Sequence, residues 1–330
     1  MDIRPQYQDQ VKLLLDILPF VAEEPSFALK GGTAINLFEW DLPRLSVDID
    51  LTYLPTQGRD EALAAISEAL GRLKARIEDK LKPTRVTLVP QRDGLEAKLH
   101  CQRLRTQIKV EVNPVLRGHL LPIRSMACSE TVQDMFGRYV ETPVISRGEL
   151  FGGKLCAALD RQHPRDLFDV KRLLDLEAPL PNDIKFGMIA GLASHGRPIA
   201  ELISPRLKDR EQSFKSEFEG MPFVPFTYDD HRETFGRLVA SVQASLADAD
   251  RAFLLSFETG DPDWSLFPLE GLQTLAGPQW KLRNLRNLRD TAPERHAQGM
   301  EALKAVLHPR DPTTVAEIDT TNQNLISTIN

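Results

Sequence analysis

Two aspartates, Asp48 and Asp50, are the side chains with the clearest chemical potential in this chain of 330 residues. From Arg44 to Leu51, polar and apolar residues alternate without exception, which predicts a half-buried strand. Because residues on one face of a strand lie about 6.5 to 7 Å apart, both carboxylates could reach one divalent cation or a pair of cations. A bare Asp-x-Asp is more often a solvated strand face or loop, so this interpretation depends on the surrounding residues.

A glycine turn precedes the two aspartates. Gly31-Gly32-Thr33 lies between the apolar run Phe27–Leu29, a predicted strand, and a predicted helix from Ala34 to Trp40. Free backbone amides at the start of a helix suit phosphate oxygens, and glycine lets the backbone approach a ligand closely. A tight turn that binds nothing is the alternative.

A third carboxylate, Glu111, belongs to another alternating run. Residues Gln107 to Asn113 predict a second sheet strand whose polar face carries Lys109 and Glu111. A solvated pair on an edge strand is the alternative. Together, the glycine turn and the three carboxylates fit nucleotidyl transfer. In that reaction, carboxylates bridge Mg²⁺ ions that orient a triphosphate, activate an attacking hydroxyl and neutralise the departing pyrophosphate.

The elements that position these residues divide the chain into two parts. Helices are predicted at 11–18 and 61–80, and strands at 85–89, 96–104 and 107–113, with a tight turn at Gln91–Gly94. From Ser146 onward only helices are predicted. Ser146 and Glu149 fit a capping box for a helix to about Asp160, and His163-Pro164 begins the next helix. The polar segment 309–330 is expected to fray. We therefore predict a mixed α/β domain over 1–145 and an all-helical domain over 146–330.

Composition excludes several classes of protein. With 41 Lys+Arg against 47 Asp+Glu, the net charge is −6, so the chain has no overall basic character. Three cysteines that lie far apart provide neither a CxxC motif nor a disulfide framework, and seven single histidines provide no zinc-binding spacing. No apolar run approaches the roughly 18 residues of a membrane span. We expect a soluble, cytoplasmic protein without a membrane partner, in which carboxylates hold any metal.

Two motifs resemble those of a known family. Lys30 to Ala34 (Lys-Gly-Gly-Thr-Ala), followed by the Arg-x-Ser-x-Asp-x-Asp pattern of Arg44 to Asp50, is similar to the signature of the AbiEii/AbiGii-type nucleotidyltransferase toxins of bacterial abortive-infection and toxin–antitoxin systems. The segment Glu149 to Asp169 resembles the second signature of that family. The resemblance covers roughly residues 27 to 175. It implies a nucleotidyltransferase-fold domain with a mixed twisted sheet, followed by a helical domain that contributes to the site.

The resemblance also implies roles for individual residues. Asp48 and Asp50 would hold the metal, Mg²⁺ or Mn²⁺, and the strand pattern adds Glu111 as the third metal ligand. Lys154 would contact phosphate oxygens, and Asp166 would assist at the site. The residues expected to contact the NTP are Gly31, Gly32, Thr33, Arg44, Ser46 and Lys154. Without the resemblance, Lys154 would be interpreted as a solvated lysine and Asp166 as a carboxylate that stabilises a helix N-terminus.

The leading functional hypothesis is an Mg²⁺-dependent nucleotidyltransferase toxin. It would transfer NMP from an NTP to an acceptor hydroxyl, plausibly on tRNA, and a separately encoded antitoxin would counteract it. One alternative is a nucleotidyltransferase that modifies a small molecule, as antibiotic-modifying enzymes do, which the acidic net charge favours mildly. Another is a non-catalytic scaffold that binds a partner through the same fold.

One later predicted helix is a candidate contact for RNA. Residues 279–289 place Arg283, Arg286 and Arg289 three positions apart, beside a flank of leucines. A packing helix with solvated arginines is the simpler interpretation. The functional hypothesis is that the three arginines form a stripe that contacts the phosphates of an RNA acceptor.

Overall fold

The computed structural model describes residues 4–90 and 96–308, so the predicted turn at Gln91–Gly94 and the segment 309–330 lie outside it. The strands within these ranges are β1 (Phe27–Lys30), β2 (Asp48–Tyr53), β3 (Arg85–Pro90), β4 (Glu96–Arg103), β5 (Thr106–Val112), β6 (Arg124–Ala127) and β7 (Glu141–Val144). The helices are α1 (Pro5–Ala22), α2 (Gly31–Ala34), α3 (Arg59–Lys80), α4 (Glu130–Phe136), α5 (Arg147–Arg161), α6 (Pro164–Leu176), α7 (Asn182–Ser194), α8 (Ile199–Ile203), α9 (Glu211–Glu217), α10 (Tyr228–Ser245), α11 (Asp248–Glu258), α12 (Ala276–Thr291) and α13 (Pro293–Leu307).

The strands of the described chain form one mixed sheet in the order β3-β4-β5-β2-β1-β7-β6. The β2/β5 and β1/β7 pairs are parallel and the other pairs are antiparallel. Beyond Val144, helices replace strands. The predicted order, a mixed α/β part followed by a helical part, is therefore confirmed.

The sheet is buried beneath α1 and α3. Both helices bury a stripe of leucine and isoleucine, such as Leu14 and Leu18 in α1. Ile49 and Leu51 in β2 and Val110 and Val112 in β5 are also buried. Since side chains alternate along a strand, Asp48, Asp50, Lys109 and Glu111 lie on the opposite face of these strands.

One predicted strand is wrong in its first half. The alternation from Arg44 predicted a strand over 44–51, but β2 begins only at Asp48. Residues before it run beside the helical part instead: the Leu45 amide donates to the Met221 carbonyl, and Arg44 forms an isolated bridge with Pro222. Contact with the segment at Met221 and Pro222 therefore replaces sheet pairing. The strands β6 and β7 were not predicted.

A close contact between glycines sets the position of α5. A Cβ atom on Gly152 would overlap the backbone of Gly187 and Met188, so α5 and α7 approach more closely than larger residues allow. At its N-terminus, α5 is capped by Ser146, whose side chain accepts from the Glu149 amide. The predicted capping box is only half formed, because the Glu149 carboxylate accepts from the Leu120 and Leu121 amides and from the Ser146 hydroxyl rather than from the Ser146 backbone amide.

Candidate active site

Four charged residues form a row across the middle of the sheet. The register pairs Lys98 with Glu111, Glu111 with Asp50, and Asp50 with Lys30. Two adjacent carboxylates are therefore flanked by a lysine on either side. Parallel pairing of β2 and β5 places Glu111 directly opposite Asp50, which is the position that the sequence prediction needs for a third carboxylate.

Asp50 lies at the centre of this row. Burial raises the pKa of its carboxyl, and the neighbouring Asp48 and Glu111 carboxylates raise it further, against the opposing effect of Lys30 and Lys154. Its carboxylate lies against Gly31, where a Cβ atom would overlap Oδ2. Gly31 also has a φ of +73°, which favours glycine. Glycine at this position therefore leaves the space that the Asp50 carboxylate occupies.

The other two carboxylates are paired with cations. Asp48 lies 3.3 Å from Nη1 of Arg165, and Glu111 lies 3.1 Å from Nζ of Lys98. Within the described ranges, no three His, Cys, Asp or Glu side chains are grouped closely enough to hold a metal ion. The donor chemistry nevertheless suits Mg²⁺, since carboxylate oxygens are its preferred protein ligands. The space beside Gly31 that accommodates the Asp50 carboxylate, and the mutual repulsion of the acids, also fit a bound cation.

The hydroxyl groups near the glycine turn have different surroundings. Thr33 is fully buried, and its Oγ1 donates to the Asp48 carbonyl at 2.6 Å while lying 3.0 Å from Ser46 Oγ. Thr33 therefore fixes the start of β2 against α2. Gly32 and Ser46 line the pocket that contains the carboxylates, and Thr33 lies beneath it.

Lys154 is buried between two aspartates. Its Nζ lies 2.9 Å from Asp166 and 3.0 Å from Asp169, and only 6% of the residue is exposed. Asp166 also accepts from Nε and Nη2 of Arg161. Burial acts to raise the pKa of Asp166, but Lys154 and Arg161 outweigh it and hold that pKa well below its usual range. The lysine is thus a partner of buried acids rather than a solvated side chain.

Asp169 connects the helical part of the chain to the glycine turn. Its carboxylate accepts from Nε and Nη2 of Arg44, at 2.8 and 2.6 Å, and from Nδ2 of Asn36 at 3.1 Å. Arg44 is 1% exposed and also donates Nη1 to its neighbour's carbonyl. Three of the five N–H groups of Arg44 therefore hold the fold together. Within the described ranges the other two make no hydrogen bond, and Arg44 lies on the pocket wall.

These residues surround a polar pocket of about 190 Å³. Carboxylates lie along the sheet, and cations from α5 and α6 (Lys154, Arg161 and Arg165) line the same pocket. The lining residues are Gly32, Arg44, Ser46, Asp48, Asp50, Lys109, Glu111, Lys154, Arg161, His163, Arg165 and Asp166. Such a pocket can bind a cation on one wall and phosphate oxygens on the other. Gly31 and Thr33 are absent from the lining, whereas the other predicted site residues are present.

Sequence reasoning missed several members of this site. Lys109, Arg161, His163 and Arg165 line the pocket but were given no role, and Asp169 was only quoted within a motif. Strand alternation already placed Lys109 on the face of Glu111, and helical spacing placed Asp169 one turn after Asp166. The contact between Asp169 and Arg44 spans 125 residues, and no local pattern indicates it.

A comparison with known families agrees with this geometry. The profile of the family described as "Nucleotidyl transferase AbiEii toxin, Type IV TA system" matches residues 12–268. The chain belongs to the AbiEii family. It is accordingly a nucleotidyltransferase of a toxin–antitoxin family, and the scaffold alternative is set aside. The match covers the sheet, the pocket and the helices through α11.

Solved structures support the same fold. The chain is similar to MenT4, the nucleotidyltransferase toxin Rv2826c from Mycobacterium tuberculosis H37Rv, with a TM-score of 0.53 and 15% sequence identity. The match covers 92% of this chain and 95% of the MenT4 chain. No curated protein sequence matches the chain. In the part of the chain that the structure describes, no helix is long and apolar enough to cross a membrane.

Proposed function

We propose that this AbiEii-family enzyme transfers NMP from an NTP to a hydroxyl group of RNA, with tRNA as the acceptor, in a reaction that depends on Mg²⁺ or Mn²⁺. The observation that carries the proposal is the pairing of Asp50 with Glu111 in one pocket with Lys154, Arg161 and Arg165. Carboxylates on one wall and cations on the other match the two needs of nucleotidyl transfer, metal binding and phosphate binding.

Asp48, Asp50 and Glu111 would hold the metal. When bound, Mg²⁺ supplies positive charge that orients the triphosphate and favours departure of pyrophosphate. Asp48 and Glu111 would exchange their partners Arg165 and Lys98 for the cation. Arg165 would then be free to pair with a phosphate oxygen, so one rearrangement creates both halves of the site.

Phosphate contacts would come from the opposite wall. Gly32 offers its backbone, Ser46 its hydroxyl, and Arg44 its two remaining N–H groups, while Gly31 and Thr33 hold the turn in place. Lys154 is already ion-paired with Asp166 and Asp169, so these two acids partly compensate its charge. Arg161 is the more exposed cation, with 62% of its side chain accessible, and would reach the triphosphate directly.

The acceptor would approach through a neighbouring cavity. A cavity of about 610 Å³ shares Asp48, Lys109 and Arg165 with the carboxylate pocket and is also lined by Arg105 and Tyr7. Its position beside Asp48 would place an acceptor hydroxyl near the proposed metal. The acidic net charge favours a second candidate, transfer to a small molecule, because RNA-binding proteins are usually basic.

The test is incubation of the protein with each labelled NTP and either tRNA, total RNA or a small-molecule extract, with Mg²⁺ or with EDTA. We expect labelled tRNA with Mg²⁺ and none with EDTA. Asp50→Asn removes transfer, whereas the control Asp290→Asn, which removes an exposed charge, does not. Label in the small-molecule fraction alone would favour the second candidate. Transfer by Asp50→Asn at the wild-type rate would overturn the assigned site.

The family also implies an antitoxin. We expect expression of the wild-type chain to stop bacterial growth and expression of Asp50→Asn to allow it, because growth arrest would follow from transfer. Co-expression of the antitoxin, encoded separately, would restore growth to cells that carry the wild-type chain.

A further inference from the structure

A further cavity, of about 550 Å³, lies beyond the C-terminal ends of the strands that carry the carboxylates. Its walls are the segment after β2 (Pro55 to Arg59), the segment after β5 (Pro114 to Arg117) and the first half of α12. Because β2 and β5 are parallel, both segments emerge at the same edge of the sheet. At roughly 3.3 Å per residue, the chain advances about 17 Å from Asp48 to Tyr53 and about 10 Å from Glu111 to Pro114. The two pockets share no lining residue.

Arg117 is the residue that distinguishes this cavity. It is only 8% exposed, its Nε has no hydrogen-bond partner, and its Nη1 donates to the Pro114 carbonyl. No described Asp or Glu lies within ion-pair distance of it. Burial lowers the pKa of the Arg117 guanidinium, and Arg59 lowers it further. A buried cation without a counter-charge is costly, so an anion that entered the cavity would be bound favourably.

The other walls add to the attraction for an anion and supply an aromatic surface. Arg59 and Arg283 line the same cavity, and Arg283 has no ion-pair partner within the described ranges. Trp280, one helical turn before Arg283 in α12, is 40% exposed. The N-terminal turn of α12 also borders the cavity at Ala276, and no described side chain caps that end. One cavity of ordinary ligand size therefore offers guanidinium groups for an anion and an indole ring for a planar group.

We propose that this cavity binds a nucleoside phosphate, with the phosphate held by Arg117, Arg59 and Arg283 and the base stacked on Trp280. Guanidinium groups pair with phosphate oxygens, and base–aromatic stacking does not depend on base identity. The nucleotide is either a free nucleotide or one unit of an RNA strand. In the second case the inference rests on the proposed function and gives the acceptor a contact remote from the carboxylates.

The structure supplies a matched control on the same helix. Arg286 donates to the Gly260 carbonyl, and Arg289 pairs with Asp261 at 2.6 Å, so both are held by the loop after α11. Neither lines the cavity. Arg283→Gln therefore removes a positive charge from α12 inside the proposed site. Arg286→Gln removes a positive charge from the same helix outside it.

The test measures binding of AMP and of a short single-stranded oligoribonucleotide by calorimetry and by Trp280 fluorescence, in EDTA to suppress binding at the carboxylate pocket. We expect one bound ligand per chain, affinity reduced at least tenfold in Arg117→Met and severalfold in Arg283→Gln, and no change in Arg286→Gln. Trp280→Phe should abolish the fluorescence change while binding remains detectable by calorimetry.

The ligands and variants separate the outcomes. Equal binding of AMP and the oligoribonucleotide assigns the cavity to free nucleotides, whereas binding of the oligoribonucleotide alone assigns it to RNA. If neither ligand binds, or if Arg283→Gln binds as the wild type does, the proposal is overturned. Asp50→Asn provides the link to the proposed function, since it should lose transfer and keep this binding. Arg283→Gln changes an exposed side chain, so the test does not depend on the folding of Arg117→Met.

Discussion

Arg44 and Arg117 are both buried arginines at the edges of pockets, yet they have opposite surroundings. Arg44 forms an ion pair with Asp169, whose carboxylate also contacts Lys154 and Asn36. The positive charge of Arg44 is therefore compensated by an acid of the fold. Among the described residues, Arg117 has one hydrogen-bond partner, the Pro114 carbonyl, and no acidic side chain within ion-pair distance. The difference shows that ion pairs stabilise the carboxylate pocket, whereas the cavity beside Arg117 has no acidic residue among its described lining residues.

The strongest test of this comparison is Asp169→Ala. It would leave Arg44 and Lys154 buried without their shared acid, so we expect the free energy of unfolding to fall by about 3 to 5 kcal/mol. Denaturant unfolding measures this loss. Asp175→Ala on the same helix is the control: Asp175 is half exposed and pairs with Lys171 and Arg237, so its loss should cost less than about 1 kcal/mol. Equal losses in both variants would contradict the assigned role of Asp169.

Lys281 is a buried cation whose surroundings are intermediate between those of Arg44 and Arg117. Its Nζ donates to the Leu192 and Arg197 carbonyls, and burial lowers its pKa to about 8 against the opposing effect of Glu258. Between pH 8 and 10.5 the unfolded chain binds a proton that the folded chain does not, so stability rises with pH in this window. The rise approaches about 1.4 kcal/mol per pH unit. Unfolding of wild type and Lys281→Met across this window measures it. A similar slope in the variant would remove Lys281 as the cause.

The next prediction concerns Glu111→Gln, since Glu111 is the more exposed of the paired Asp50 and Glu111 carboxylates. Glu111 is 46% exposed and pairs with Lys98, so the folded state depends on it little. An amide keeps the shape of the side chain but is a poor Mg²⁺ ligand, and we expect the transfer rate to fall roughly 30-fold, about 2 kcal/mol, with stability unchanged. Steady-state transfer at varied Mg²⁺ is the measurement. A rate within about twofold of wild type would leave Glu111 as a solvated partner of Lys98.

The smallest expected effect has the opposite sign to that of Asp169→Ala. Arg117→Met replaces an unpaired buried cation with an apolar side chain of similar length, and we expect the free energy of unfolding to rise by about 1 kcal/mol. Thermal unfolding without added nucleotide measures the change. A loss of stability comparable to that of Asp169→Ala would show that other residues of the fold compensate the charge of Arg117.

The sequence was sufficient for the parts of the site that depend on local pattern. Alternation correctly placed Asp48 and Asp50 on one face of β2, and the serine cap correctly began α5. The same alternation failed at Arg44, because a buried ion pair with Asp169 outweighs the tendency of this segment to extend the strand. Lys154 was identified as a site residue, but its two aspartate partners depend on how α5 meets α6. Glu111 lies opposite Asp50 because of the register between β2 and β5. No local pattern in the residues between the two strands indicates that register.

The ion pair between Arg44 and Asp169 also has a consequence for synthesis of the chain. A ribosome completes every carboxylate proposed to bind metal, from Asp48 to Glu111, well before it adds α6. Until Asp169 is added, Arg44 has no acid to hold it beside the glycine turn, and Lys154 has neither of its partners. The nascent first half therefore carries the acidic residues of the proposed site without the contacts that assemble its pocket. We therefore expect an interrupted translation product that ends before α6 to lack the assembled pocket, and with it the proposed transfer activity.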